Sequence, residues 1–222
     1  MGNRAVITTK DRKLGVYVHW NGGRDTIQPL LKYCELKGYR PPSSDSYGWA
    51  RLCQVLGNFF GGSNSVGIST YTTDRQMDPG DNGIYVIDGW EIVERLTTDY
   101  SSDFSTSYMV AYPESQEQSE YDFDEMLKAF DESMPEAERL GAFLDAGVIP
   151  VSELKLGDKV WMREVNGSFK TYPVVGFGTG MVNGSDRNGV AYVERYDHEG
   201  DYSWNPNNYP PHGNTCRIVP RK

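Results

Sequence analysis

The spacing of apolar residues changes period four times along this chain, and that alternation restricts the fold more than any other feature. Ala5 to Thr9 and Val16 to Trp20 alternate or run apolar over strand length, with polar Lys10-Asp11-Arg12-Lys13 between them, and predict a hairpin. Helical spacing follows. Ile27, Leu30, Leu31 and Cys34 make one stripe, and Trp49, Leu52, Cys53, Leu56 and Phe60 make another. The first helix starts near Asp25 or Thr26, accepts Pro29 in its opening turn and stops at Gly38. The second has Ser44 and Asp45 as N-cap oxygens and Gly61-Gly62 as a left-handed end. Val66 to Thr72 and Ile84 to Leu96 return to strand patterning across the turn-rich Asp78 to Gly83. Asp88-Gly89 reads as a bulge or bend in the last strand. The expected fold is therefore α+β, opening with a ββααββ domain over residues 1–112, to which Tyr108 to Tyr112 adds at most one short strand.

The helical period reappears in a stretch of concentrated charge. Residues 113–138 hold ten Asp or Glu against Lys128 alone. The whole chain has 31 acids and 22 Lys or Arg, so 21 of each sign remain elsewhere and the net charge of −9 is local. Phe123, Met126, Leu127, Phe130 and Met134 share one helical face, whereas Asp122, Asp124, Glu125, Asp131 and Glu132 project from the others. Ser119 with Asp122 resembles a capping box. Ser133 with Glu136 repeats that spacing ahead of a second helix through Ala137, Leu140, Phe143 and Leu144 that ends at Gly147. Residues 113–147 thus read as an acidic helical connector that displays carboxylates on an ordered scaffold. The display is either a contact surface that imitates the phosphate line of a nucleic acid or the solvated face of a linker.

From Val148 the pattern is β again. Leu154 to Trp161, Phe169 to Phe177, Val190 to Tyr196 and Cys216 to Val219 read as strands, with Asn166-Gly167 as a hairpin turn. The Leu-x-x-Gly-Asp-x-Val opening is similar to that of small Src-homology-3-like barrels, so residues 148–222 are expected to form a small β-barrel domain.

Composition removes several function classes. No apolar run approaches the roughly 18 residues of a membrane span. Met1 to Arg4 leads into strand-like sequence without an apolar leader, which points to the cytosol of the host cell. Three widely spaced cysteines, Cys34, Cys53 and Cys216, suit a reducing compartment and offer no metal spacing. Neither metal nor cofactor is expected. Both cysteines of the helical stripes face a core, where thiols are inert, and no residue beside His19 is placed in sequence to be activated as a nucleophile. No basic cluster with interleaved aromatics appears, so direct nucleic-acid binding is not expected. Nothing in the sequence fixes the oligomeric state.

Two further places carry chemistry. Asn21, Gly22, Gly23 and Arg24 join a strand to a helix through two glycines, a geometry in which N–H groups cradle anions, although the spacing matches no nucleotide fingerprint. The loop over residues 197–215 gathers Tyr202, Trp204 and Tyr209 among amides and prolines, as an aromatic contact surface or as cover for the barrel.

The opening Met1-Gly2-Asn3-Arg4-Ala5-Val6-Ile7, together with Tyr17-Val18-His19-Trp20-Asn21-Gly22-Gly23, resembles small proteins of phages and mobile elements that begin with a Met-Gly-x-Arg strand and carry a His-Trp-Asn/Asp-Gly element. The resemblance spans about the first 95 residues and transfers no catalytic residue. It implies an accessory gene product of the kind found among anti-defence functions. The leading expectation is a non-enzymatic anti-CRISPR or antirestriction protein that binds a nucleic-acid-handling host protein through its acidic face. The alternative is a nucleotide or small-ligand binding protein, or an enzyme, using the turn Asn21 to Asp25 and the aromatic loop. A structural phage protein is the third reading.

Overall fold

The computed structural model describes residues 2–43, 46–62, 65–102, 105–116, 119–150, 153–163, 168–178, 191–194 and 215–221. The chain divides into two compact units, Met1–Arg139 and Leu140–Lys222. The chain as a whole is mixed α+β, and among the described residues every α-helix lies in the first unit. The division falls after the acidic residues, so the helix expected as a separate connector lies inside the first unit.

That unit is built on a six-stranded sheet. Its centre is β1 (Ala5–Thr9), which pairs antiparallel with β2 (Leu14–Val18) and parallel with β4 (Ile84–Asp88). β3 (Val66–Thr70) extends the sheet beyond β2, while β5 (Glu91–Tyr100) and β6 (Ser107–Ala111) extend it beyond β4. A parallel pair needs a long crossover, and here α1 (Arg24–Leu36) and α2 (Ser46–Phe60) provide much of it. Every residue of β1 is buried, which is why its sequence runs apolar without strict alternation. The register sends Ala5 and Ile7 to one face with Val16, Val18, Tyr85 and Ile87. The opposite face is a cluster of Val6, Tyr71, Ile84 and Val86, flanked by Tyr17, Leu96, Met109 and Met77 of the short helix α3 (Asp74–Met77). Each fully buried aliphatic of these sets stabilises the fold by about 1.5–3 kcal/mol.

The first helical stripe forms as spaced, while in the second Trp49 and Phe60 are half-buried and Val55 joins the buried side. Ile27, Leu30, Leu31 and Cys34 are buried, as are Leu52 and Leu56, whereas Cys53 is half-buried. Gly38, at φ +64°, ends α1. Its N–H donates to the Glu35 carbonyl and that of Tyr39 to the Cys34 carbonyl, so two orphan carbonyls are satisfied by a left-handed residue that only glycine adopts readily. Gly61 closes α2 in the same conformation, and the expected caps Ser44 and Asp45 lie outside the described residues.

Asp88-Gly89 is a turn between two strands and not a bulge in one: Asp88 pairs with Glu91 across Gly89-Trp90, with Gly89 at φ +62°. The acidic segment also departs from expectation. It contains one α-helix, α4 (Phe123–Ser133), capped by Asp122 itself, while Ser119 Oγ donates to the Tyr121 carbonyl. The second expected helix is replaced by single 3₁₀ turns at Glu136–Glu138 and Gly141–Phe143. Pro135 is the cause. It holds Met134 in an extended conformation, ψ 153°, and Gly141 at φ +55° interrupts the chain again.

In the second unit β7 (Gly147–Pro150), β8 (Lys159–Arg163), β9 (Phe169–Gly178), β10 (Ala191–Glu194) and β11 (Thr215–Ile218) form one sheet in the order β10-β9-β8-β11-β7. Its core is Leu154, Val160, Met162, Val174, Cys216 and Ile218. No closed barrel is formed among the described residues, and Gly147, expected to end a helix, opens β7 instead. The Gly157-Asp158 pair of the expected barrel opening is a turn whose carboxylate accepts the Lys155 N–H and a fork from Arg221 at 2.9 and 2.7 Å.

Candidate functional site

Helix α4 is fixed to the first unit by its apolar face. Met126, Leu127, Phe130 and Met134 are buried, and the Phe130 ring lies 4.6 Å from that of Phe59 and 6.5 Å from that of Tyr33. Asp131, expected among the displayed acids, is buried with them. It is 4% exposed, and the Tyr33 hydroxyl donates to its Oδ1 at 2.8 Å. Burial and the Asp131 carboxylate hold the Tyr33 phenol well above its ordinary range. Asp131 lies at the border of the buried face, where the Tyr33 hydroxyl of α1 meets it.

Both ends of α4 are closed. Asp122 Oδ1 accepts the N–H groups of Asp124 and Glu125 at 2.9 and 3.1 Å. Arg139 donates to the carbonyls of Glu132 and Met134 at 2.7 and 2.9 Å. With the helix so held, Asp122, Asp124, Glu125 and Glu132 are exposed on one scaffold. Phe123, expected to pack, is 39% exposed.

The Asn21 to Arg24 turn lies close to the start of this segment. Asn21 has φ +54°, and the Gly22 N–H donates to the Asn3 carbonyl at 2.8 Å and to Asn3 Oδ1 at 3.1 Å. A Cβ on Gly22 would meet the Asn3 carbonyl oxygen at 2.7 Å and the Ala5 nitrogen at 2.8 Å, so glycine here permits two backbones to touch. Gly23 is the N-cap of α1. Arg24 reaches Gln28 at 3.1 Å and Glu114 at 2.8 Å. Asp25, in the first turn, accepts the N–H groups of Glu120 and Tyr121 at 2.7 and 3.1 Å. The turn expected to cradle an anion therefore binds the acidic segment of its own chain.

These contacts border an open cleft of about 560 Å³ between the starts of α1 and α4, lined by Arg24, Asp25, Glu114, Asp122, Tyr121 and Phe123, among others. Behind Glu114 lies Arg95, whose side chain is 2% exposed. Its guanidinium stacks 3.5 Å from the Tyr112 ring centroid and 4.4 Å from that of Tyr85, and it donates to Glu114 at 2.9 Å. Spacing does not mark Arg95, Glu114 or Tyr33. Arg95 gives no signal of its own, since its strand also holds Glu91, Glu94 and Asp99 and reads as half polar.

The remaining candidates are simpler. His19 Nδ1 lies 2.7 Å from the Tyr17 hydroxyl, and its ring packs edge-on to Trp20. Burial raises the thiols of Cys34 and Cys53, and pushes that of Cys216 up to about 12, which leaves little thiolate. Among the described residues, no group of His, Cys, Asp or Glu is placed to hold a metal ion, and no helix is long and apolar enough to cross a membrane. Tyr202, Trp204 and Tyr209 lie outside the described residues. No family model, curated protein or solved structure matches the chain.

Proposed function

We propose that this chain is an accessory protein of a phage or mobile element that binds and blocks a nucleic-acid-handling host protein, of the anti-CRISPR or antirestriction type. Asp124, Glu125 and Glu132, with Asp122 at the cap, would take phosphate positions in the partner's basic groove. One observation carries the reading: these acids sit on a helix locked to the core by Phe130 and by the Tyr33–Asp131 hydrogen bond. A preorganised charge array loses little entropy when it docks, and it speeds association with an oppositely charged surface. The resemblance of the first strand and the His-Trp-Asn-Gly element to phage and mobile-element proteins supports the biological setting.

The test is affinity capture from a host lysate, eluted in rising salt, followed by competition of the captured protein against labelled duplex DNA. The wild type is expected to elute early in salt and to displace DNA. Reversing Asp124, Glu125 and Glu132 to Lys, with Asp122→Ser to keep a cap oxygen, should abolish capture without unfolding the chain. Unchanged capture by that folded variant refutes the proposal.

A further inference from the structure

The carboxylate of Glu114 is held between two guanidiniums. Its Oε1 receives Arg24 Nη1 at 2.8 Å and its Oε2 receives Arg95 Nη1 at 2.9 Å. Arg95 cannot turn to solvent for compensation. It is shut between Tyr85 and Tyr112, with Nε and Nη2 committed to Asn82 at 3.0 and 3.2 Å. A buried guanidinium in that setting requires an anion beside it. The anion present is 38% exposed, opens onto the cleft, and belongs to a single 3₁₀ turn, Glu114–Gln116. Buried charge on one side and solvent access on the other describe a position where one oxyanion can be exchanged for another.

We infer that Glu114 is an internal stand-in for the phosphate of a nucleoside phosphate, which binds the cleft by displacing it from Arg24 and Arg95. Two guanidiniums on adjacent oxygens suit a phosphate at least as well as a carboxylate. The cleft volume of about 560 Å³ lies in the range of small-molecule sites. Tyr121 and Phe123 offer exposed aromatic surface for a base, and the carboxylates of Asp122 and Asp25 are acceptors for sugar hydroxyls. The site does not depend on the acidic face having a protein partner, and it differs from the Asn21 to Gly23 backbone cradle, whose Gly22 N–H is taken by Asn3.

The test is thermal denaturation of the full chain, titrated with AMP and with inorganic phosphate at constant ionic strength set by chloride. A ligand that binds only the native state raises the midpoint in a saturable way. Glu114→Gln, which keeps the shape and removes the competing charge, should bind AMP roughly tenfold to a hundredfold tighter than wild type. Adding Arg24→Ala to it should remove the gain, and inorganic phosphate should bind more weakly than AMP. If Glu114→Gln does not fold, Glu114→Asp weakens the same hold by shortening its reach and is titrated instead. No saturable shift in a folded Glu114 variant overturns the inference. So does a gain that survives Arg24→Ala, or inorganic phosphate binding as tightly as AMP.

Discussion

Tyr33→Phe removes one oxygen from the interior of the first unit and tests whether α4 is truly anchored. In the wild type the Tyr33 hydroxyl donates to Asp131 at 2.8 Å, and both residues are buried. A hydrogen bond to a charged group contributes about 1.5–3 kcal/mol, and the carboxylate left behind keeps its desolvation cost. At about 2–4 °C per kcal/mol for a chain of this size, the midpoint should fall by roughly 3–12 °C. The effect has a signature in pH. The folded-state phenol is raised above its ordinary value, so its contribution is complete below about pH 10 and is lost as pH rises through the folded value. Urea melts at neutral and alkaline pH should therefore show wild type and Tyr33→Phe converging above about pH 10. Tyr71, raised by burial and Asp74, titrates in both proteins and cancels in the comparison. A Tyr33→Phe protein within about 0.5 kcal/mol of wild type at pH 7, or a gap that does not close in alkali, would refute the anchoring argument.

Two glycines of α2 should respond to alanine with opposite signs. A Cβ added at Gly57 would have no neighbour within 4 Å, so Gly57→Ala should stabilise by about 0.5–1 kcal/mol. At Gly48 the same atom would lie 2.3 Å from the Pro41 carbonyl carbon and the Pro42 nitrogen, so Gly48→Ala should destabilise despite its better helix propensity, as denaturant titration will show. In the second unit Asp158 is depressed by the Arg221 fork and the Lys155 N–H, so its contribution is complete above the ordinary carboxylate range and is lost as pH falls below about 4; Arg221→Gln should flatten that acid limb. Iodoacetamide should label Cys34 only as fast as the chain unfolds, because burial raises its thiol.

How far the sequence speaks for the fold depends on whether the signal is periodic or a single contact. The helical periods of α1 and α2 and the strands from Ala5 and Phe169 are repeated patterns, and they appear within a few residues of the expected limits, whereas the strand expected from Ile84 to Leu96 is two, Ile84–Asp88 and Glu91–Tyr100. Gly38 was legible because a left-handed cap has few alternatives. The helix after Ser133 was not, because the capping-box spacing and apolar stripe outweighed Pro135, whose restriction acts on one residue only. At the site, Asp124, Glu125 and Glu132 could be assigned to the outer face by period, while Asp131 lies at the border of that face and its burial is decided by Tyr33, 98 positions away. The Arg24–Glu114–Arg95 cluster joins three distant segments by single side chains, and no periodicity encodes such a meeting.

Glu132 separates a functional acid from a solvated one. It occupies the C-terminal turn of α4, where the helix dipole disfavours a negative charge by about 0.3–1 kcal/mol, and no basic residue occupies that turn. Arg139 relieves part of this by donating to the Glu132 and Met134 carbonyls from beyond the helix. Removing the charge relieves what is left of this cost, so Glu132→Gln should leave stability unchanged or raise it by up to about 1 kcal/mol. If α4 is merely a solvated face, the substitution changes nothing else. If its acids occupy phosphate positions on a partner, the same substitution weakens capture and moves elution to lower salt. A Glu132→Gln protein that is captured and eluted like wild type would remove Glu132 from the contact surface, and equal results at Asp124 and Glu125 would remove the surface itself.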